Sequence, residues 1–163
     1  MNEALASSAP ALTDDAPHLL VVDDDRRIRA LIARYLTGQG YRVTPAGTAE
    51  EARSKLRALS FDLIILDLHM PHKDGFDVIR ELRAQDDFAA TPIVALTADA
   101  LETGRHACLE AGMDGFLAKP LDPGPLLRAA HAVVAVRFGS RSCNRCLVPP
   151  LLLLVHAGCG CRM

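Results

Sequence analysis

Asp23 and Asp24, Asp67, Thr97 and Lys119 are side chains suited to one kind of chemistry, and each stands where an apolar run ends. His18–Val22 runs into Asp23, Asp24 and Asp25. Phe61–Leu66 ends on Asp67, Pro92–Leu96 on Thr97, and Gly115–Ala118 on Lys119. Carboxylates brought to one place repel each other and all stay ionised only with a cation among them. Oxygen ligands in a shallow, wet site favour Mg²⁺, which keeps several waters and uses one or two carboxylates plus a phosphate oxygen. Lys119 adds a fixed positive charge, and the Thr97 hydroxyl can donate to an oxyanion. A cation, a lysine and a hydroxyl around one carboxylate suit a phosphoryl group arriving there. Charge on its equatorial oxygens is neutralised while the carboxylate attacks in line.

This chemistry needs all those strand ends on one edge. The first strand, 18–22, leads to a helix with Ile28, Leu31, Ile32, Tyr35 and Leu36 at helical spacing, closed by Gly38 and Gly40. Tyr41–Thr44 reads as a second strand. Thr48 opens a second helix with Glu51 as a capping box, and Ala52, Leu56 and Leu59 form its expected buried face. The run 61–66 is apolar enough to be a central parallel strand covered on both faces. A helix from about Phe76 presents Val78, Ile79 and Leu82. After the fourth strand, 101–111 is helical and closed by Gly112. Asp122 caps a last helix, where Pro123 and Pro125 fit the first turn and Leu126, Leu127, Ala130, Val133 and Val134 face inward. Alternation of strand and helix through five units implies a flavodoxin-like, doubly wound parallel sheet of order 2-1-3-4-5 with five helices, whose ligands gather at the carboxyl edge.

Composition sets the bounds. With 163 residues, half of them apolar, the chain holds one domain and some surplus. Trp is absent and aromatics are few, so Leu, Ile, Val and Ala must fill the core. The formal net charge of −2 gives no reason to expect nucleic-acid binding. From Arg137 onward there are arginines but no acid, so the negative charge belongs to the globular part. There is no order of basic, apolar and small residues at the N-terminus, and Leu151–Val155 is too short to span a bilayer. Only Cys108 lies in the main body, which points to a reducing cytoplasm. No glycine-rich phosphate loop occurs. Residues 1–17 read as a disordered leader, 18–136 as the domain, and 137–163 as a tail without convincing periodicity. The tail holds Cys143, Cys146, Cys159 and Cys161. The close second pair fits a zinc knuckle poorly, and a disordered or aberrant extension is the expectation. Arg26, Arg27 and Arg29 read as the solvated face of the first helix.

The segments Leu19–Asp25, Asp67 with Met70-Pro71 and Asp74-Gly75, Thr97-Ala98 and Lys119-Pro120 follow in order. Over roughly 18–136 the chain thereby resembles the receiver domain of two-component response regulators. The resemblance implies a phosphoacceptor signalling switch and not a turnover enzyme. Asp67 would take a phosphoryl group from a phosphohistidine on a sensor histidine kinase or histidine phosphotransfer protein. Asp24 would bind Mg²⁺ directly, Asp23 through water, and His69 through its backbone carbonyl. Thr97 and Lys119 would contact phosphoryl oxygens. Phe116 would be the rotating switch aromatic, without the hydroxyl that a tyrosine would bring. His69 and Asp99 would tune phosphoryl lifetime, and the 98–136 face would dock partners or a second copy. The alternatives are a Mg²⁺-dependent aspartyl-phosphate phosphohydrolase, against which His69 stands where such enzymes carry a second acid, or a receiver fragment of a larger regulator or hybrid kinase.

Overall fold

In a computed structural model, residues 14–71, 73–98 and 102–138 are described. The strands are β1 (His18–Val22), β2 (Arg42–Ala46), β3 (Leu63–Asp67), β4 (Ile93–Thr97) and β5 (Gly115–Ala118). The helices are α1 (Arg26–Gly38), α2 (Ala49–Ala58), α3 (Gly75–Arg83), α4 (Glu102–Glu110) and α5 (Pro123–Phe138). All strand pairs of the sheet are parallel, in the order β2-β1-β3-β4-β5. This is the expected order. A separate two-residue antiparallel pairing, His69–Met70 with Lys73–Asp74, folds the loop after β3 onto itself.

The two faces of the sheet follow from side-chain alternation along each strand. Leu20, Val22, Ile64, Leu66, Ile93 and Ala95 point to the side covered by α2, α3 and α4. Leu19, Val21, Leu63, Ile65, Val94 and Leu96 point to the side covered by α1 and α5. β1, β3 and β4 are therefore buried on both faces, which is why they read as unbroken apolar runs. Pro45 is tolerated because β2 is an edge strand and needs no outward donor.

Some expectations shift. β2 begins and ends later than 41–44, and β3 starts at Leu63; Asp62 before it accepts from His18 N at 2.8 Å through its carboxylate and donates its own amide to His18 O at 2.7 Å. Leu31 and Leu59 fall at helical spacing but are 63% and 43% exposed. Leu59 is the cap residue beyond the last turn of α2, in extended conformation, so helical spacing no longer sets its direction. Thr48 caps α2 by accepting from Glu51 N at 3.1 Å, while the Glu51 carboxylate reaches back to Gly47 N (2.7 Å), one residue earlier than a capping box requires. Of the expected leader, residues 14–17 are tied to β2: Arg42 donates to Asp14 O and Pro17 O. Residues 1–13 and the cysteine-containing segment from 139 lie outside the described residues, as do Asp99 and the side chains of Val133 and Val134. Among the described residues, no helix is long and apolar enough to cross a membrane.

Arg83 joins three segments that the sequence left unconnected. From the end of α3 its guanidinium donates to Thr91 O (2.7 Å), Phe88 O (3.0 Å) and Gly112 O (2.8 Å), and it pairs with Asp114 at 2.8 Å. Asp114 also accepts from Ile93 N at 2.8 Å. The loop before β4 and the turn before β5 are thereby fastened to one side chain. Gly112 makes that turn at φ +91°, a conformation that glycine adopts without strain.

Candidate functional site

β3 lies between β1 and β4 and delivers Asp67 to the carboxyl edge. The residue is 2% exposed. Its Oδ1 accepts from His69 N at 3.1 Å, and its Oδ2 accepts from Lys119 Nζ at 2.9 Å. The start of α3 is pressed against the same backbone. A Cβ on Gly75 would come within 2.7 Å of Leu68 Cα and 2.9 Å of Asp67 O. Gly75 is therefore required by close approach.

At the end of β1, Asp25 is the N-cap of α1 and accepts from Arg27 N (2.8 Å) and Ile28 N (3.4 Å). Asp23 is fully buried. Its Oδ1 accepts from Asp25 N at 2.8 Å, its Oδ2 accepts from Lys119 Nζ at 3.1 Å, and its own amide donates to Ala46 O at 3.2 Å. Burial pushes its carboxyl above the ordinary carboxylate range. The hydrogen bonds from Asp25 and Lys119 oppose that shift, and the Asp67 charge adds to it. Asp24 faces water, and ligand oxygens of Asp23, Asp24 and Asp67 lie within 4.8 Å of one another.

Lys119 arrives from β5, held by its amide donating to Thr97 O at 2.7 Å, and the Lys119-Pro120 peptide is cis. Burial penalises its ammonium, but the hydrogen bonds to Asp67 and Asp23 outweigh that cost and hold its pKa above the ordinary lysine value. Thr97 is buried at the end of β4, between the strands of Asp67 and Lys119. Phe116 is partly buried against the core beneath α2, α3 and α4. The His69 side chain is exposed. The structure therefore brings Asp23, Asp24, Asp67 and Lys119 together directly, and places Thr97 at the same edge.

Arg29 corrects the expectation of three solvated arginines. Its Nη1 donates to Asp23 O at 2.5 Å and reaches Asp24 O at 3.4 Å, while Arg26 and Arg27 remain exposed. A signal was present in the sequence. α1 opens with arginines and no acid in its first turn, the wrong sign for a helix N-terminus.

The donor set fits a hard divalent cation: all oxygen, with Asp23 and Asp67 buried, the Asp23 anion disfavoured by that burial, and Asp24 facing water. A concavity of about 620 Å³ lies at the other end of the sheet beside Leu56, Phe61 and Phe88 and gathers no such set. A smaller cleft of about 490 Å³ adjoins the site beside Asp24, Thr48 and Met70.

Three carboxylates at the carboxyl edge of a flavodoxin-like parallel sheet, with a lysine beside the central aspartate, define an α/β domain suited to phosphoryl chemistry. The family model described as "Response regulator receiver domain" matches residues 19–131, and the chain belongs to that family, the receiver domains of two-component systems. It is similar to protein PetR of Rhodobacter capsulatus, with 45% identity over 118 residues covering 72% of this chain and 48% of the relative. It is also similar to the transcriptional regulatory protein ResD of Bacillus subtilis, with 40% identity covering 71% of this chain and 47% of the relative. The chain spans about half the length of these curated relatives. Among solved structures it is similar to the chemotaxis response regulator CheY4 of Vibrio cholerae, with 33% identity, a TM-score of 0.69, and coverage of 72% of this chain and 98% of that one. The receiver domain of the sensor histidine kinase PA1611 from Pseudomonas aeruginosa, with magnesium coordinated in its active-site cleft, matches at 35% identity and a TM-score of 0.67. That match covers 74% of this chain and 98% of that one.

Proposed function

We propose that Asp67 is the phosphoacceptor of this receiver domain. The observation that carries the reading is the convergence of Asp23, Asp24 and Lys119 on one buried carboxylate at the end of the central strand. A carboxylate oxygen of Asp67 attacks the phosphorus of a phosphohistidine on a partner kinase or phosphotransfer protein. The P–N bond breaks, the imidazole leaves with its electron pair, and the product is an acyl phosphate that water later hydrolyses. Lys119, already hydrogen-bonded to Asp67, shifts to a phosphoryl oxygen, and Thr97 donates to another. Mg²⁺ held by Asp23, Asp24, Asp67 and the His69 carbonyl would supply charge neutralisation for the phosphoryl oxygens. His69 and Asp99 flank the path of hydrolytic water in this reading.

The readout proceeds through the elements after Thr97. Thr97 is drawn toward the new charge and Phe116 fills the space it leaves, which shifts a two-state equilibrium of the 98–136 face toward partner or self-association. Incubation with Mg²⁺ and a small acyl phosphate tests the assignment by intact mass. One added phosphoryl group is expected on the wild type and none on Asp67→Ala; labelling that persists in the variant refutes it.

A further inference from the structure

We infer that Arg29 is a positioning residue for the cation site, and that Gly47 is kept without a side chain to seat it. The inference rests on the cation-site reading above and deepens it. Asp24 is exposed, so its aim depends on the backbone that carries it. That backbone turns out of β1 at Asp23, whose amide is fixed by Ala46 O and whose carboxylate is fixed by Asp25 N and Lys119. The carbonyls of Asp23 and Asp24 are left to be fixed from elsewhere, and Arg29 Nη1 meets both of them. The guanidinium binds no carboxylate of the cluster. It therefore sets the orientation of the two peptide units without competing for the oxygens that a cation needs.

The other side of the guanidinium is the loop after β2. A Cβ on Gly47 would lie 3.1 Å from Arg29 Nη1 and 3.3 Å from its Cζ, tighter than an ordinary contact. Gly47 has no positive φ to explain it, so the backbone conformation does not demand glycine there. What a side chain would meet is the far end of Arg29, which must then shift by a few tenths of an ångström from its seat on Asp23 O. The loop itself has little room to retreat. Glu51 accepts from Gly47 N at 2.7 Å, and Lys55 bonds both Glu51 (2.5 Å) and Pro45 O. The Glu51 carboxyl is held below its ordinary range by these Lys55 and Gly47 hydrogen bonds, with a smaller contribution from the Arg29 charge. Loop and arginine thus form one abutment behind the Asp23-Asp24 peptide.

Residues that orient metal ligands from behind typically change metal affinity by tenfold or more when removed. The test is Mg²⁺ titration by calorimetry on the full chain, comparing wild type, Arg29→Met, Gly47→Ala and the double variant, with unfolding in EDTA followed in parallel. Arg29→Met keeps the aliphatic stem and loses the donors. Roughly tenfold weaker Mg²⁺ binding is expected for each single variant, with a much smaller change in the urea midpoint. The double variant should bind no more weakly than Arg29→Met, because Gly47→Ala acts only by displacing Arg29. Mg²⁺ affinities within twofold of wild type for Arg29→Met overturn the inference. Additive losses in the double variant overturn the role given to Gly47. A wild-type chain that takes up no Mg²⁺ refutes the cation-site reading, a failure distinct from equal binding by wild type and variants.

Discussion

Lys119 Nζ and Asp67 Oδ2 stand 2.9 Å apart, and the same ammonium reaches Asp23 at 3.1 Å. One cation thus serves two buried anions. Lys119→Met leaves Asp23 and Asp67 facing each other without it. In EDTA the variant should lose about 3 kcal/mol of stability, since removing one partner of a buried ion pair leaves an uncompensated charge. Saturating Mg²⁺ should narrow that deficit, because a bound cation replaces the missing charge. Urea unfolding with and without Mg²⁺ checks this, and a deficit indifferent to Mg²⁺ would argue against a shared electrostatic role.

Gly75→Ala should be costly despite its small size. The new Cβ meets backbone, Leu68 Cα at 2.7 Å and Asp67 O at 2.9 Å, so the chain carrying the acceptor must move. A loss of about 1–3 kcal/mol is expected, as for overpacking elsewhere. Phosphorylation from a small donor should slow as well. A variant of wild-type stability and rate would show that the loop yields freely.

Arg83→Met should destabilise the chain by about 2–4 kcal/mol, because carbonyl groups and the Asp114 carboxylate lose a charged donor together. Arg83→Lys should recover only a fraction, since an ammonium cannot span Thr91 O, Gly112 O and Asp114 as the fork does. Equal midpoints for the two variants in urea would contradict this.

His18 predicts a pH dependence. Its ring is buried, packs on Phe61 at 4.5 Å and has Nε2 2.7 Å from Thr44 Oγ1. Burial first, then the Arg42 charge, holds its pKa below the ordinary 6.5, against the Ser60 backbone hydrogen bond and the Asp62 charge. Below 6.5 the unfolded chain therefore binds a proton that the folded chain resists. This contribution to stability is complete above that pH and is lost as pH falls toward the folded-state value. His18→Gln should flatten the slope of stability against pH just below 6.5 relative to wild type. Parallel slopes would rule out this role for His18.

The fold was legible because β1, β3 and β4 are covered on both faces, and such strands show as apolar runs that end abruptly. Asp23, Asp67 and Lys119 were legible because each is the first polar residue after an apolar run, and Asp24 follows Asp23 directly. Leu31 and Leu59 show the limit of spacing, which states that a face exists but not that a neighbour covers it. Arg29, Arg83 and Gly47 act through backbone carbonyls or through the space they leave. Neither leaves a pattern in side-chain types. The arginines at the start of α1 hinted at a partner only through their unfavourable sign.

The ion pair between Lys119 and Asp23 joins residues 96 positions apart, across a sheet in which β5 is an edge strand and the last to be synthesised. A nascent chain holding β1 and β3 already has its three carboxylates but not the lysine. Its acidic edge lacks the ammonium that Lys119 brings to Asp23 and Asp67. The charge balance of the acidic edge is therefore a long-range product of the closed sheet and not a local property of the β1 and β3 ends.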